Sequence, residues 1–228
     1  MYAPQYAPLV CCPVGELRPL ANYAWSLGLD GTGIGVAVID SGVHGVDDLK
    51  DALGHNRIVF NYDSLGGGAD DQYGHGTHVA GIIGGSGKDS ICSNCDVTIR
   101  GIAPNVNIIN FHALGQTGQG TDSSVINAIN KAISLKSQYN IRVMNLSLGR
   151  SVYESYTLYP LCQAVEAAWK AGIVCIFRLI DHTHAAAAEL LYHAVVRDGR
   201  SDHWAEILGR AGGQVNEAGE LGVLSSGE

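Results

Sequence analysis

Two residues of this chain have the types and the setting for acid–base chemistry. Asp40 lies in the apolar run Ala37-Val38-Ile39-Asp40-Ser41-Gly42-Val43, and His75 follows downstream inside Gly74-His75-Gly76-Thr77-His78-Val79-Ala80-Gly81. A carboxylate buried at the end of a strand can orient and charge-stabilise an imidazole, and an imidazole at a helix start can take a proton from a hydroxyl. Those are the roles expected of Asp40 and His75. Gly74 and Gly76 are expected to let the backbone turn into a helix with His75 in its first turn. Gly81 and Gly84, small and close together, are expected to admit a neighbouring element, and His78 to pack rather than serve as a second base.

The pair His75-x-x-His78 also invites a metal reading. Helical zinc pairs stand at i and i+4 with a glutamate between them, whereas here Gly76-Thr77 fills a shorter gap, which argues against zinc. Cys92-Ser93-Asn94-Cys95 would need a second ligand pair to hold zinc and finds none, so it reads as a local disulfide or free thiols in a surface loop. Cys11-Cys12 are adjacent, and Cys162 and Cys175 stand alone. Six cysteines permit an oxidising compartment without requiring one. His112, His182, His184, His193 and His203 repeat no ligand spacing and are expected to be solvated surface.

The elements that must position Asp40 and His75 follow from periodicity. Gly35 to Asp40, Val106 to Phe111 and Arg142 to Leu146 are apolar runs of the buried-strand type, and Ala171 to Phe177 reads as another strand. Between them, Thr121 or Asp122 can cap a helix carrying Val125, Ile126, Ile129 and Ile133 at three- and four-residue spacing, with Lys131 and Lys136 on its polar side. Ala164, Val165, Ala168 and Trp169 mark a further helix, closed by Gly172. Strands alternating with helices imply a parallel sheet covered on both faces, with chemistry at the carboxyl ends of the strands, where Asp40 sits.

Composition agrees with a globular body: 228 residues, 46% hydrophobic and 16% charged, with 30 glycines for turns and close approaches. A formal net charge of -8 argues against a nucleic-acid-binding face. No apolar run reaches the length of a membrane span, and Met1-Tyr2-Ala3-Pro4 lacks the basic start and apolar core of a signal peptide.

Taken together, the Asp40 and His75 segments closely resemble two signatures of the subtilases, the subtilisin-like serine peptidases, whose chain order is aspartate, histidine, serine. The resemblance is dense from about Tyr23 to Cys175 and includes Gly31-Thr32-Gly33-Ile34-Gly35, Arg100-Gly101-Ile102-Ala103-Pro104 and Met144-Asn145-Leu146-Ser147-Leu148-Gly149. It implies an α/β fold, a three-layer subtilisin-like parallel sheet with helices on both faces, over residues 23–176. Residues 1–22 would be an N-terminal extension and 177–228 a divergent, partly helical tail. It further implies a polypeptide substrate and a secreted or extracytoplasmic location, with targeting and propeptide segments outside this sequence. Ser147, Leu148 and Gly149, and Gly118 within the flexible loop Gly115 to Gly120, would line the cleft by pairing with an extended peptide. Calcium accompanies many family members, but Asp47-Asp48 and Asp70-Asp71 read as solvated loop acids, and no metal ligand is assigned. Oligomeric state is left open.

The family's third signature, a Gly-Thr-Ser-Met-Ala-type segment with the nucleophilic serine at a helix start, does not occur in residues 1–228. The strand ending near Phe177 continues as Arg178-Leu179-Ile180-Asp181-His182 instead of into an oxyanion-binding asparagine, and a carboxylate at Asp181 would repel an oxyanion. Ser41, Ser147 and Ser225-Ser226 each lack the context of a nucleophile. The expectation is a peptidase domain that is C-terminally incomplete or divergent after about residue 176, with little or no activity of its own. The alternative is a non-catalytic fragment that binds a peptide or a partner. Loss of resemblance inside a strand points to a frameshift or rearrangement, and to a marginal, aggregation-prone product.

Overall fold

Every residue of the first strand, β1 (Gly35–Asp40), is buried, so its alternation sorts side chains between two covered faces rather than between core and water. The computed structural model describes residues 21–91, 95, 97–149 and 158–177. Around β1 it places β2 (Ile58–Asp63), β3 (Asn107–His112), β4 (Ile141–Leu146) and β5 (Val174–Phe177), all parallel, in the order β2-β3-β1-β4-β5. The crossovers carry α1 (His75–Gly84), α2 (Asp122–Tyr139) and α3 (Pro160–Lys170).

Two cores result, one on each side of the sheet. Ala37 and Ile39 of β1 join Ile109, Phe111 and Met144 under α2 and α3, where Val125, Ala128, Ile129, Ala132, Ala164, Val165 and Ala168 face inward. Val36 and Val38 join Ile58, Val106, Ile108 and Leu49 on the other side, where Ala80 of α1 meets them. Fully buried side chains such as Ile39, Phe111, Ile129 and Met144 each contribute about 1.5–3 kcal/mol by leaving water. The three-layer α/β expectation therefore holds for the described residues.

Local signals explain most of the element boundaries. Thr121 caps α2 by accepting from the Ser124 amide at 3.1 Å, while the Ser124 hydroxyl accepts from the Thr121 amide, a reciprocal capping box. Asn140 ends that helix in the left-handed region, with φ 48. The helix expected around Ala164 and Val165 starts at Pro160 and closes before Gly172, as its apolar spacing predicts. Sequence reasoning passed over β2: Val59 is 40% exposed on this strand, an edge strand among the described residues, and Asn61 interrupts its apolar pattern.

Three sequence expectations are corrected. His78 does not pack but lies exposed on α1. His112 is not solvated surface: its side chain is only 14% exposed and its Nδ1 lies 3.0 Å from Asp63 Oδ1. The small-residue contact on α1 is made by Gly76, Ala80 and Gly84, one turn apart on the sheet-facing side, whereas Gly81 points into open space. Within the loop from Gly115 to Gly120, Gly118 N donates to Gly115 O at 2.8 Å and Gly115 N to Gln119 O at 2.7 Å. The readings placed on Cys11-Cys12, Cys92, Asp181 and residues 177–228 beyond Phe177 lie outside the described residues.

Candidate active site

Strand parity decides which way Asp40 points. It shares a face with Val36 and Val38, the face that α1 covers, so its carboxylate emerges from the end of β1 directly toward the start of that helix. Gly74, with φ 93, makes the turn that begins α1 and puts His75 at the first helical position. At Gly76 the reason for glycine is proximity: a Cβ there would fall 2.1 Å from the Gly42 carbonyl oxygen and 3.1 Å from Asp40 Cβ.

The outcome is a close pair. His75 Nδ1 lies 2.7 Å from Asp40 Oδ1, with the aspartate side chain fully buried and the histidine side chain 34% exposed. A carboxylate only accepts, so Nδ1 carries the proton and the pair fixes the imidazole in its Nδ1–H tautomer. The Ser41 amide donates to the same Oδ1 at 2.7 Å. Asp40 Oδ2 is buried without a hydrogen-bond partner among the described residues, and burial strengthens the attraction between the carboxylate and the imidazole relative to water. The backbone holds Asp40 as well, since its carbonyl accepts from Ala113 N at 2.8 Å and Leu114 N at 3.1 Å.

The strand order places the other predicted site residues on either side of Asp40. β3 and β4 both pair with β1, so the segments leaving their carboxyl ends flank the end of β1. After β3 comes the turn containing Gly118, at φ 70, whose α-carbon lies against the Tyr73 ring so closely that a Cβ would sit 2.6 Å from Tyr73 Cε1. After β4 come Ser147, whose Oγ accepts from Asn145 Nδ2 at 2.9 Å, Leu148, which packs against the larger core, and the exposed Gly149.

Several polar residues at the site were not anticipated. Asp71 accepts from five donors: Ser41 Oγ at 2.9 Å, Tyr73 N at 3.1 Å and Gly74 N at 2.7 Å on Oδ1, and Thr77 N at 2.8 Å and Thr77 Oγ1 at 2.6 Å on Oδ2. Ser41 Oγ in turn accepts from Gly76 N at 3.0 Å. Asp63 accepts from Leu65 N at 2.9 Å and Gly68 N at 2.8 Å as well as contacting His112. An aspartate four residues ahead of a histidine that opens a helix is the sequence signal that marks Asp71, because the first turn's amides need acceptors.

Asp71 is committed to those five donors, Asp70 Oδ1 lies 2.7 Å from His44 Nδ1, and Asp47 pairs with Lys50. Among the described residues no three histidine, cysteine or acidic side chains come together as metal ligands. Cys95 is disulfide-bonded, while Cys162 and Cys175 are free and burial pushes the Cys175 thiol up to about 11.

Burial alone would raise the carboxyl groups of Asp63 and Asp71, but the hydrogen bonds they accept outweigh it and both sit below the ordinary carboxylate value. A lowered folded-state value means stability that is present above the unfolded value of about 3.9 and is lost as pH falls through the folded one. The melting temperature should therefore fall steeply below about pH 4, and Asp71→Asn should reduce that acid-dependent part of the fall. An acid limb of the same size in wild type and variant would contradict this.

The family model described as the subtilase family matches residues 31–190, well over half of the chain. The chain belongs to the subtilase family. Among subtilase relatives, the minor extracellular protease Vpr of Bacillus subtilis is 34% identical over 165 residues, covering 68% of this chain and 18% of that protein. Serine protease AprX of the same organism is 36% identical over 157 residues, covering 64% of this chain and 32% of that protein. A solved structure, described as a cold adapted subtilisin-like serine proteinase, aligns at 34% identity and a TM-score of 0.48, covering 65% of this chain and 46% of that one. This subtilase chain thus spans about a fifth to a third of the length of the curated relatives it matches first.

Proposed function

We propose that this chain carries the aspartate–histidine half of a subtilisin-like serine endopeptidase site acting on polypeptides. The observation that carries the reading is the 2.7 Å bond from His75 Nδ1 to the fully buried Asp40 carboxylate. In that arrangement Asp40 orients the imidazole and stabilises it when charged, and His75 Nε2 takes the proton of an attacking hydroxyl and later returns it to the leaving amine. Residues 23–176 form the peptidase unit, preceded by the extension 1–22 and followed by the tail 177–228. Ser147, Leu148, Gly149 and Gly118 flank the substrate path at the carboxyl edge of the sheet. The relatives whose names call them extracellular proteases support placing the protein outside the cytoplasm.

Residues 1–228 contain no Gly-Thr-Ser-Met-Ala-type segment, so the 228-residue chain has the base without the nucleophile and does not cleave peptide bonds. Incubating the folded chain with a fluorophosphonate probe, followed by mass spectrometry, should yield no covalent adduct. A labelled serine would identify a nucleophile in the chain and refute the inactive reading. A second reading, a module that binds a peptide or partner without turnover, rests on β5, which among the described residues is an edge strand and on which Ile176 is 47% exposed. Peptide binding in the absence of cleavage would favour it.

A further inference from the structure

We infer that Asp71, whose described hydrogen bonds go to the neighbours of His75 and of Asp40, is the positioning residue that sets the geometry of the Asp40–His75 pair. The inference rests on the reading of that pair as an acid–base dyad.

The first turn of a helix presents amides with no partner inside the helix, and an acceptor placed there fixes both the position of the helix end and its rotation about its axis. In α1 the helix-start residue, Gly74, offers no side chain, so the task passes to groups outside the helix. Asp71 Oδ2 takes Thr77 N at 2.8 Å and Thr77 Oγ1 at 2.6 Å, while Oδ1 takes Gly74 N at 2.7 Å and Tyr73 N at 3.1 Å. One carboxylate therefore clamps the residues on both sides of His75.

The same carboxylate also reaches the strand that carries the other half of the dyad. Ser41, the neighbour of Asp40, donates its hydroxyl to Asp71 Oδ1 at 2.9 Å and accepts from Gly76 N at 3.0 Å. The route Asp40–Ser41–Asp71–Thr77 and the route Ser41–Gly76–His75 thus close a ring of short bonds around the Asp40–His75 contact. Thr77 Oγ1 extends the tie by accepting from His44 N at 2.9 Å. Because Gly76 already meets the Gly42 carbonyl, the helix cannot approach the strand more closely. The clamp prevents it from moving the other way, and the two constraints together leave the imidazole one place to sit.

Asparagine at position 71 preserves shape but not function. Its amide has one acceptor oxygen, and in either orientation its NH2 group faces donors that the carboxylate had accepted. Asp71→Asn should therefore loosen α1 at its start and lengthen the His75–Asp40 bond. Relieved of its acceptor, the imidazole should drift from the Nδ1–H toward the Nε2–H tautomer.

The test is the pair of 15N resonances of the His75 ring in the full chain, which report the tautomer without any need for turnover. In wild type His75 should be predominantly Nδ1–H, and Asp40→Asn provides the reference for a lost bond. Asp71→Asn should shift His75 toward that reference, and Thr77→Val, which keeps the Thr77 amide bond but deletes the hydroxyl donor, should shift it part of the way. If Asp71→Asn does not fold, Thr77→Val decides. A wild-type tautomer retained in the folded variants overturns the positioning role, whatever happens to melting temperature. A wild-type His75 that is not Nδ1–H overturns the dyad reading, and the inference falls with it.

Discussion

Replacing Gly76 with alanine should cost about 3 kcal/mol or more, the upper end of what overpacking costs. The added methyl would lie 2.1 Å from the Gly42 carbonyl oxygen, a backbone atom with no rotamer to change. Only movement of α1 away from β1 relieves the clash, and that movement separates His75 from Asp40 and uncovers Val36 and Val38. Gly81, five residues along the same helix, provides the internal control. Nothing lies within 4 Å of a Cβ built there, so Gly81→Ala should stabilise by about 1 kcal/mol through helix propensity alone. Urea unfolding midpoints at constant slope measure both. Equal effects of the two substitutions would mean that the close approach of α1 to β1 is not what requires glycine.

That contrast also shows what the sequence could and could not tell. The strand ending in Asp40 and the helix opening with His75 were legible because a continuous apolar run and a glycine-flanked turn are local patterns, and their pairing was legible by family resemblance. The helices over Asp122–Tyr139 and Pro160–Lys170 were legible from spacing and caps. Which glycines mattered was not legible, because Gly81 and Gly84 look alike in sequence and only the tertiary approach of Val106 to Gly84, 2.9 Å from a Cβ there, separates them. The strand Ile58–Asp63 was missed because an edge strand with one half-covered face shows a broken pattern. His112 was misplaced for the same reason: its partner Asp63 stands on that unrecognised strand, in register with it across the sheet. Asp71 read as a solvated acid because three of its five donors are backbone amides and a fourth, the Ser41 hydroxyl, lies thirty residues away, so only its spacing ahead of His75 hints at the role.

Arg57 is the residue with the largest predicted effect that nothing in the sequence pattern marks. It is 5% exposed, and its guanidinium donates to Val106 O at 3.0 Å through Nη1 and to Asp48 O at 2.9 Å and Gly84 O through Nη2. Gly84 is the last residue of α1, so Arg57 holds the end of the helix opposite to the one that bears His75. Asp48 O keeps a second donor, Ser86 N at 2.8 Å, when Arg57 is removed. The bonds from Arg57 are the only ones described for Val106 O and Gly84 O, and an unsatisfied buried carbonyl costs about 1–3 kcal/mol. Arg57→Met should therefore cost about 3 kcal/mol, reduced by whatever is gained in removing a charge from a buried site. Arg57→Lys should recover only part of the loss, since a single ammonium cannot reproduce a fork that spans three carbonyls. If lysine restored wild-type stability, the charge rather than the fork would be what α1 needs. If methionine matched wild type, the carbonyls would be satisfied by other means and the helix would be held at its histidine end alone.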